Sequence, residues 1–165
     1  MAESLAQVPL FARLPATTRA ALEAAMVDIE LPAGRVLFQQ GDRAGGTEGL
    51  YVLREGSLTV SVGRPAGGFA VLRSMEPGEV VGIIGLVAPE SVRQATVVAG
   101  AECQVSHLSR AAYLALVYGD PVAACAFRLV LARQLVHDLR RVDDALRNAV
   151  TTEDDSVPLH TLVPG

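Results

Sequence analysis

Apolar residues recur with three different periods along the chain. Residues 9–26 (PLFARLPATTRAALEAAM) place Leu10, Phe11, Leu14, Ala21, Leu22 and Met26 at helical spacing, predicting two short helices with Pro15 early in the second. From 27 to 109 the pattern changes to short β-type runs punctuated by glycine. Strands are expected at 27–30, 35–39, 50–54, 57–62, 70–74, 80–84, 94–99 and 102–108. The segment Ser57-Leu-Thr-Val-Ser-Val62 alternates, so Leu58, Val60 and Val62 are expected in a core and Ser57, Thr59 and Ser61 outside. Turns fall at 32–34, 41–46, 55–56, 65–68 and 76–78. Short strands at nearly even spacing predict a closed or rolled antiparallel sheet.

The remainder is helical. Ser109 is a candidate cap for a helix through Val117, and Asp120-Pro121 has the form of a cap followed by a first-turn proline, opening a long helix over 120–150. Within it, positions 128, 132, 135, 139, 142, 146 and 149 step by four and three, and all but Arg128 are apolar. That is a coiled-coil seam of about three heptads, so a homodimer through this helix is expected, although part of the face can pack on the roll instead. The segment 151–165 holds Glu153, Asp154, Asp155 and two prolines and reads as an acidic flexible tail. The predicted fold is α+β, mainly β. It is an eight-stranded antiparallel β-roll of jelly-roll or cupin-like form, flanked by short N-terminal helices and a long C-terminal dimerisation helix. Residues 1–148 form the domain, with the roll at 27–109.

Composition narrows the chemistry. The chain has 165 residues, 50% apolar and 19% charged, enough for one domain with a sizeable core. No apolar run is long enough to span a bilayer and the start lacks a basic segment, so the protein is expected to be soluble and cytoplasmic, without a membrane partner. A net charge of −4 argues against a nucleic-acid surface covering the whole domain. All 14 basic residues are arginine, as GC-rich coding would produce. Two cysteines, Cys103 and Cys125, and three scattered histidines, His107, His137 and His160, make neither a disulfide framework nor a metal motif.

The order of these parts resembles the cyclic-nucleotide-binding domain of the catabolite activator and protein kinase A regulatory-subunit superfamily. Four segments carry the likeness. Pro9-Leu-Phe-Ala-Arg-Leu14 is similar to that family's opening helix. Leu31-Pro-Ala-Gly-Arg-Val-Leu-Phe-Gln-Gln-Gly-Asp42 is similar to its second-strand pattern, and Leu50-Tyr-Val-Leu-Arg-Glu-Gly-Ser-Leu-Thr-Val60 to the next hairpin. Glu76-Pro-Gly-Glu-Val-Val-Gly82 leads into what resembles the phosphate-binding cassette. The likeness covers about 8–148, with the loop at 42–49 roughly three residues longer than usual. It implies a non-catalytic regulatory module that senses cyclic AMP, cyclic GMP or a related small phosphate and needs no other cofactor. In that family amides at a helix start and one arginine hold the phosphate, as at other helix-terminal anion sites.

Residue by residue, the likeness places the cassette at Gly82, Ile83, Ile84, Gly85, Arg93 and Gln94, with Arg93 as the phosphate-binding arginine. Asp138 falls where a base contact is expected. Three positions depart from the family pattern. Ile83 replaces a glutamate that accepts the ribose hydroxyl, Gln94 replaces a smaller residue, and Gln134 stands where an arginine pairs with that glutamate. Ile83 and Ile84 read as core side chains in preference to ligand contacts. Without a ligand role, Gly82 and Gly85 would be ordinary turns and Arg93 a surface partner of Glu90 or another carboxylate. A degenerate module that binds no nucleotide and serves as a dimeric scaffold or binds a protein partner stays open as the alternative.

Other classes fit less well. The arginines between Arg128 and Arg147 are interleaved with Asp138, Asp143 and Asp144, and no helix-turn-helix segment follows the long helix, so no direct DNA binding is expected. A cupin metal enzyme needs histidines on the roll. None occurs within 27–106, His107 stands alone in the last strand, and neither a metal site nor a nucleophile–base–acid set is expected. Cys103 and His107, four apart on a strand, share a face and read as a buried thiol and a tolerated histidine.

Overall fold

The computed structural model describes residues 4–43, 48–64, 67–88 and 90–153, with backbone alone at 145, 146 and 148–153. Two compact units are distinguished, Met1–Leu131 and Ala132–Gly165.

The first unit begins with turns. Residues 5–14 form successive tight turns in place of the first predicted helix, because most of their bonds close three residues back, as from Phe11 N–H to the Val8 carbonyl (2.9 Å) and Leu14 N–H to the Phe11 carbonyl (3.0 Å). Pro9 and Pro15 lack amide donors, which prevents a continuous ladder from forming between them. The second predicted helix is present as α1 (Ala16–Ala25).

Eight antiparallel strands follow among the described residues: β1 (Val27–Leu31), β2 (Val36–Phe38), β3 (Gly49–Glu55), β4 (Leu58–Gly63), β5 (Phe69–Met75), β6 (Val80–Val81), β7 (Thr96–Ala99) and β8 (Cys103–Ser109). They make two four-stranded sheets, in the orders β1-β8-β3-β6 and β2-β7-β4-β5. This is the expected roll. Between the sheets Leu53, Leu58, Met75, Val97 and Val105 are wholly buried, together with Cys103 and Tyr51. On the other face of the first sheet the Nε of buried Arg54 donates to the Ser106 hydroxyl (2.7 Å), which donates to Asp28 (2.5 Å), linking β3, β8 and β1. Leu58 and Val60 point into the core as their alternation predicts. Ser61, expected outside, is buried beside a register shift against β5, and Val62 is only half-buried. At the rim of the second sheet β5 leaves Phe69, Val71 and Leu72 largely exposed.

The predicted sixth strand, 80–84, stops after two residues. Gly82 has φ +90°, in the left-handed region, and this reversal turns the chain into a short helix, α2 (Ile83–Val87). After β8, the Ser109 hydroxyl accepts from the Ala112 amide (3.1 Å) and caps α3 (Arg110–Gly119). The Asp120 carboxylate accepts from the amides of Val122 and Ala123 (3.0 Å each) and caps α4 (Pro121–Glu153), so both predicted caps are observed. Tyr113 of α3, Phe127 of α4 and Phe11 of the N-terminal turns form an aromatic cluster, with centroid separations of 5.7 Å and 6.0 Å.

Helix α4 runs three residues beyond the predicted boundary at 150, into the expected tail; the rest of that tail, 154–165, lies outside the described residues. Residues 44–47 of the lengthened loop also lie outside them. In the second unit Ala132, Val136, Leu139 and Val142 are exposed and Leu135 is half-buried. Seam position Arg128 is exposed, and the side chains of Leu146 and Ala149 are outside the described residues.

Candidate functional site

Arg93 lies in the segment that joins α2 to β7. Its backbone is held on both sides, the Arg93 amide donating to the Asp42 carbonyl (2.9 Å) and the Gly41 amide to the Arg93 carbonyl (2.8 Å). Only 5% exposed, Arg93 is not the surface residue that pairing with Glu90 would require. Its guanidinium lies over the ring of Phe38, with Cζ 4.1 Å from the centroid. Phe38 packs at 6.1 Å from Tyr51, whose ring stacks on His107 at 4.3 Å and 11°.

The two cassette glycines make room for this arrangement. A Cβ at Gly85 would come within 2.5 Å of Arg93 Nη1 and 3.0 Å of Cζ, so the cation is in direct contact with the backbone of α2. A Cβ at Gly82 would meet the Gly49 carbonyl at 2.5 Å and Arg93 Nη1 at 3.5 Å. The Leu86 amide closes the first helical bond, to the Gly82 carbonyl (3.2 Å). The amides of Ile83, Ile84 and Gly85 therefore precede the ladder, as at any helix start.

The structure thus brings Gly82, Gly85 and Arg93 together. Ile83 is buried, as its core reading requires, and supplies no hydrogen-bond acceptor from its side chain. Ile84 differs from the core expectation, being 43% exposed on the outer side of the short helix. Gln94 is exposed and turns its amide back to the Val92 carbonyl (2.9 Å). Asp138, in the second unit, accepts from the Gln134 side chain one turn earlier (2.9 Å).

Burial pushes the Arg93 guanidinium below its ordinary range, opposed by Tyr51, Asp42 and Glu48. Burial likewise raises the Tyr51 hydroxyl, which Arg93 partly offsets. The His107 imidazole is lowered by burial, raised by the bond from Nε2–H to the Glu48 carbonyl (3.3 Å), and lowered again by Arg93. Cys103, buried in the core, has its thiol pushed up by burial, as an unreactive cysteine does. No group of three or more His, Cys, Asp or Glu able to hold a metal occurs among the described residues. A buried cation packed against the backbone of Gly85, in the first turn of a helix, suits an anion.

Sequence reading missed Phe38, Tyr51 and His107 as neighbours of Arg93. They are brought there by β2, β3 and β8, and no local motif announces the meeting.

Among families, Cyclic nucleotide-binding domain matches residues 28–119. Among solved structures, the N-terminal domain of a transcriptional regulator from Streptomyces coelicolor A3(2) is 30% identical, with a TM-score of 0.71 over 87% of this chain and 95% of that one. The Thermus thermophilus catabolite activator protein is 28% identical, with a TM-score of 0.73 over 86% of this chain and 63% of that one. The regulatory domain of Toxoplasma gondii PKA with cAMP shares the fold at 20% identity, with a TM-score of 0.67 over 81% of this chain and 47% of that one. No curated protein matches the chain.

Proposed function

Because the chain belongs to the cyclic nucleotide-binding domain family, we propose that it is a non-catalytic regulatory module whose Arg93 and α2 take the phosphate of cyclic AMP, cyclic GMP or a related small ligand. The observation that carries this is the guanidinium of Arg93 buried against Gly85, where a charge-assisted pair with an anion is stronger than at a wet surface. The Toxoplasma domain, of the same fold, is solved with cAMP. Gly82, Ile83, Ile84, Gly85, Arg93 and Gln94 form the cassette in this reading, with Asp138 proposed as a base contact.

The module is residues 1–148, and it works as a homodimer through α4. Exposed Val136, Leu139 and Val142 support that interface. Occupancy at Arg93 shifts the short helix and biases the dimer or a protein partner's surface. Direct DNA contact is not part of the proposal, since acidic residues interrupt the arginines of α4. A cytoplasmic location is consistent with the lack, among the described residues, of any helix long and apolar enough to cross a membrane.

A second reading is favoured by one observation. Ile83, where the family pattern has an acceptor for the ribose hydroxyl, is buried and apolar, and a buried hydroxyl left without its partner costs about 1–3 kcal/mol. Enough such losses would leave a dimeric scaffold that binds no nucleotide. Calorimetric titration with cyclic AMP and cyclic GMP to millimolar concentration separates the two. Micromolar binding that Arg93→Ala weakens by about 2–3 kcal/mol supports the sensor; no heat from a folded protein supports the scaffold.

A further inference from the structure

Two consecutive residues of the five-residue helix α2 are each held by an arginine. Arg93 lies against Gly85, and the Nη1 of Arg110 donates to the carbonyl of Leu86. The Leu86 carbonyl is among the last of its helix, which have no partner within it, so the guanidinium serves as a C-terminal cap supplied from another element. Leu86 itself is wholly buried. Arg110 is the first residue of α3, and its amide donates to the Glu48 carbonyl (3.1 Å), the same oxygen that accepts from His107. One turn on, Tyr113 meets Phe127 of α4 edge-on.

We infer that Arg110 is a positioning residue that joins the cassette helix to α3, so that a displacement of α2 at Gly85 is carried to the Tyr113–Phe127 contact. The inference rests on Arg93 being the anion site. Its physical basis is that a five-residue helix has too few internal bonds to hold its own orientation. What orients α2 is the pair of guanidinium contacts together with the burial of Ile83 and Leu86. An anion drawn to Arg93 changes the first contact, and the second makes α3 follow. Arg110 does not itself meet the ligand, so losing it separates response from affinity.

The test uses the full chain with cyclic AMP as probe, and reads calorimetric affinity beside amide hydrogen exchange in residues 83–88 and 110–119. In the wild type both segments gain protection with ligand. Arg110→Met keeps the aliphatic stem without a donor; its affinity is expected to stay within about threefold of wild type while the 110–119 response is lost. Arg110→Lys, with a point donor in place of the fork, restores part of that response, which a merely structural role would not produce. A full response of 110–119 in Arg110→Met overturns the inference and leaves the anion site standing. So does a wild type that binds without a response in 110–119. No binding to the wild type overturns both. If Arg110→Met does not fold, Arg110→Lys carries the comparison, and a response equal to wild type overturns the inference.

Discussion

The guanidinium of Arg93 rests over the ring of Phe38, 4.1 Å from its centroid, so the buried cation of the candidate site is supported by an aromatic face. That support fixes where the charge sits before any ligand arrives. Phe38→Leu keeps an apolar side chain but removes the π-face, an interaction of about 1 kcal/mol at a partly desolvated site. Cyclic AMP affinity is expected to fall about fivefold, beyond what a matched loss of stability explains. Calorimetry beside urea unfolding checks this; an unchanged dissociation constant would show that the ring only fills space.

Arg93→Ala removes the charge itself. Loss of a charge-assisted bidentate pair is expected to weaken phosphate binding by about 2–3 kcal/mol. Equal affinity of wild type and variant for cyclic AMP would place the ligand elsewhere.

Gly85→Ala tests the contact from the other side. Its Cβ would meet Nη1 at 2.5 Å, and Nη1 is the mobile end of a long side chain. The fold is therefore expected to survive, with a cost of about 1 kcal/mol, while the displaced guanidinium binds cyclic AMP about tenfold more weakly. Gly82→Ala has no such escape, since φ is +90° and the Gly49 carbonyl lies 2.5 Å from the new Cβ. It is expected to lose about 2 kcal/mol or more by urea unfolding.

Restoring a carboxylate at the cassette tests the departure from the family pattern. Ile83 is 5% exposed, and Ile83→Glu puts an ionisable group in its place. The ligand-free protein is expected to lose about 3 kcal/mol, and saturating cyclic AMP to recover part of that loss by supplying a hydroxyl partner. Thermal unfolding with and without nucleotide measures both. A destabilised variant that the nucleotide does not rescue would mean that no ribose comes near residue 83.

His107 gives a dependence on pH. Burial lowers its imidazole, the bond to the Glu48 carbonyl raises it, and Arg93 lowers it, for a net downward shift. The folded protein thus holds this proton less tightly than the unfolded chain, where histidine titrates near about 6.5. Below that value the unfolded state binds more protons. The contribution of His107 is accordingly complete above about pH 6.5 and is lost as the pH falls towards the folded value. Urea midpoints are expected to drop between about pH 7.5 and about pH 5.5, and less steeply in His107→Gln. Identical slopes in the two proteins would remove His107 as the cause.

How much could be read in advance depended on how local each signal was. Ser109 and Asp120 were legible because a cap acts within three residues of itself, and Leu58 and Val60 because strand alternation is written in adjacent positions. Gly82 was visible as a cassette glycine, but the positive φ that cuts the sixth strand to two residues was not. The N-terminal turns escaped because apolar spacing at Leu10, Phe11 and Leu14 suits tight turns as well as a helix. Within the candidate site, Arg93 was singled out through its likeness to a family motif. Phe38, Tyr51, His107 and Arg110 were not, since they reach α2 and Arg93 from four different elements, and that meeting exists only once the two sheets have closed.

The outer strand of the second sheet also bears on how the protein behaves in bulk. With Phe69, Val71 and Leu72 at 69%, 67% and 59% exposure, β5 combines a strand margin open to further pairing with a greasy surface. Crowded copies then have a route to stick through backbone ladders that has nothing to do with α4. Growth of scattering on concentration, and its relief by a charge placed at Val71, would be a property of this margin, so colloidal behaviour can be engineered there without touching Arg93 or α2.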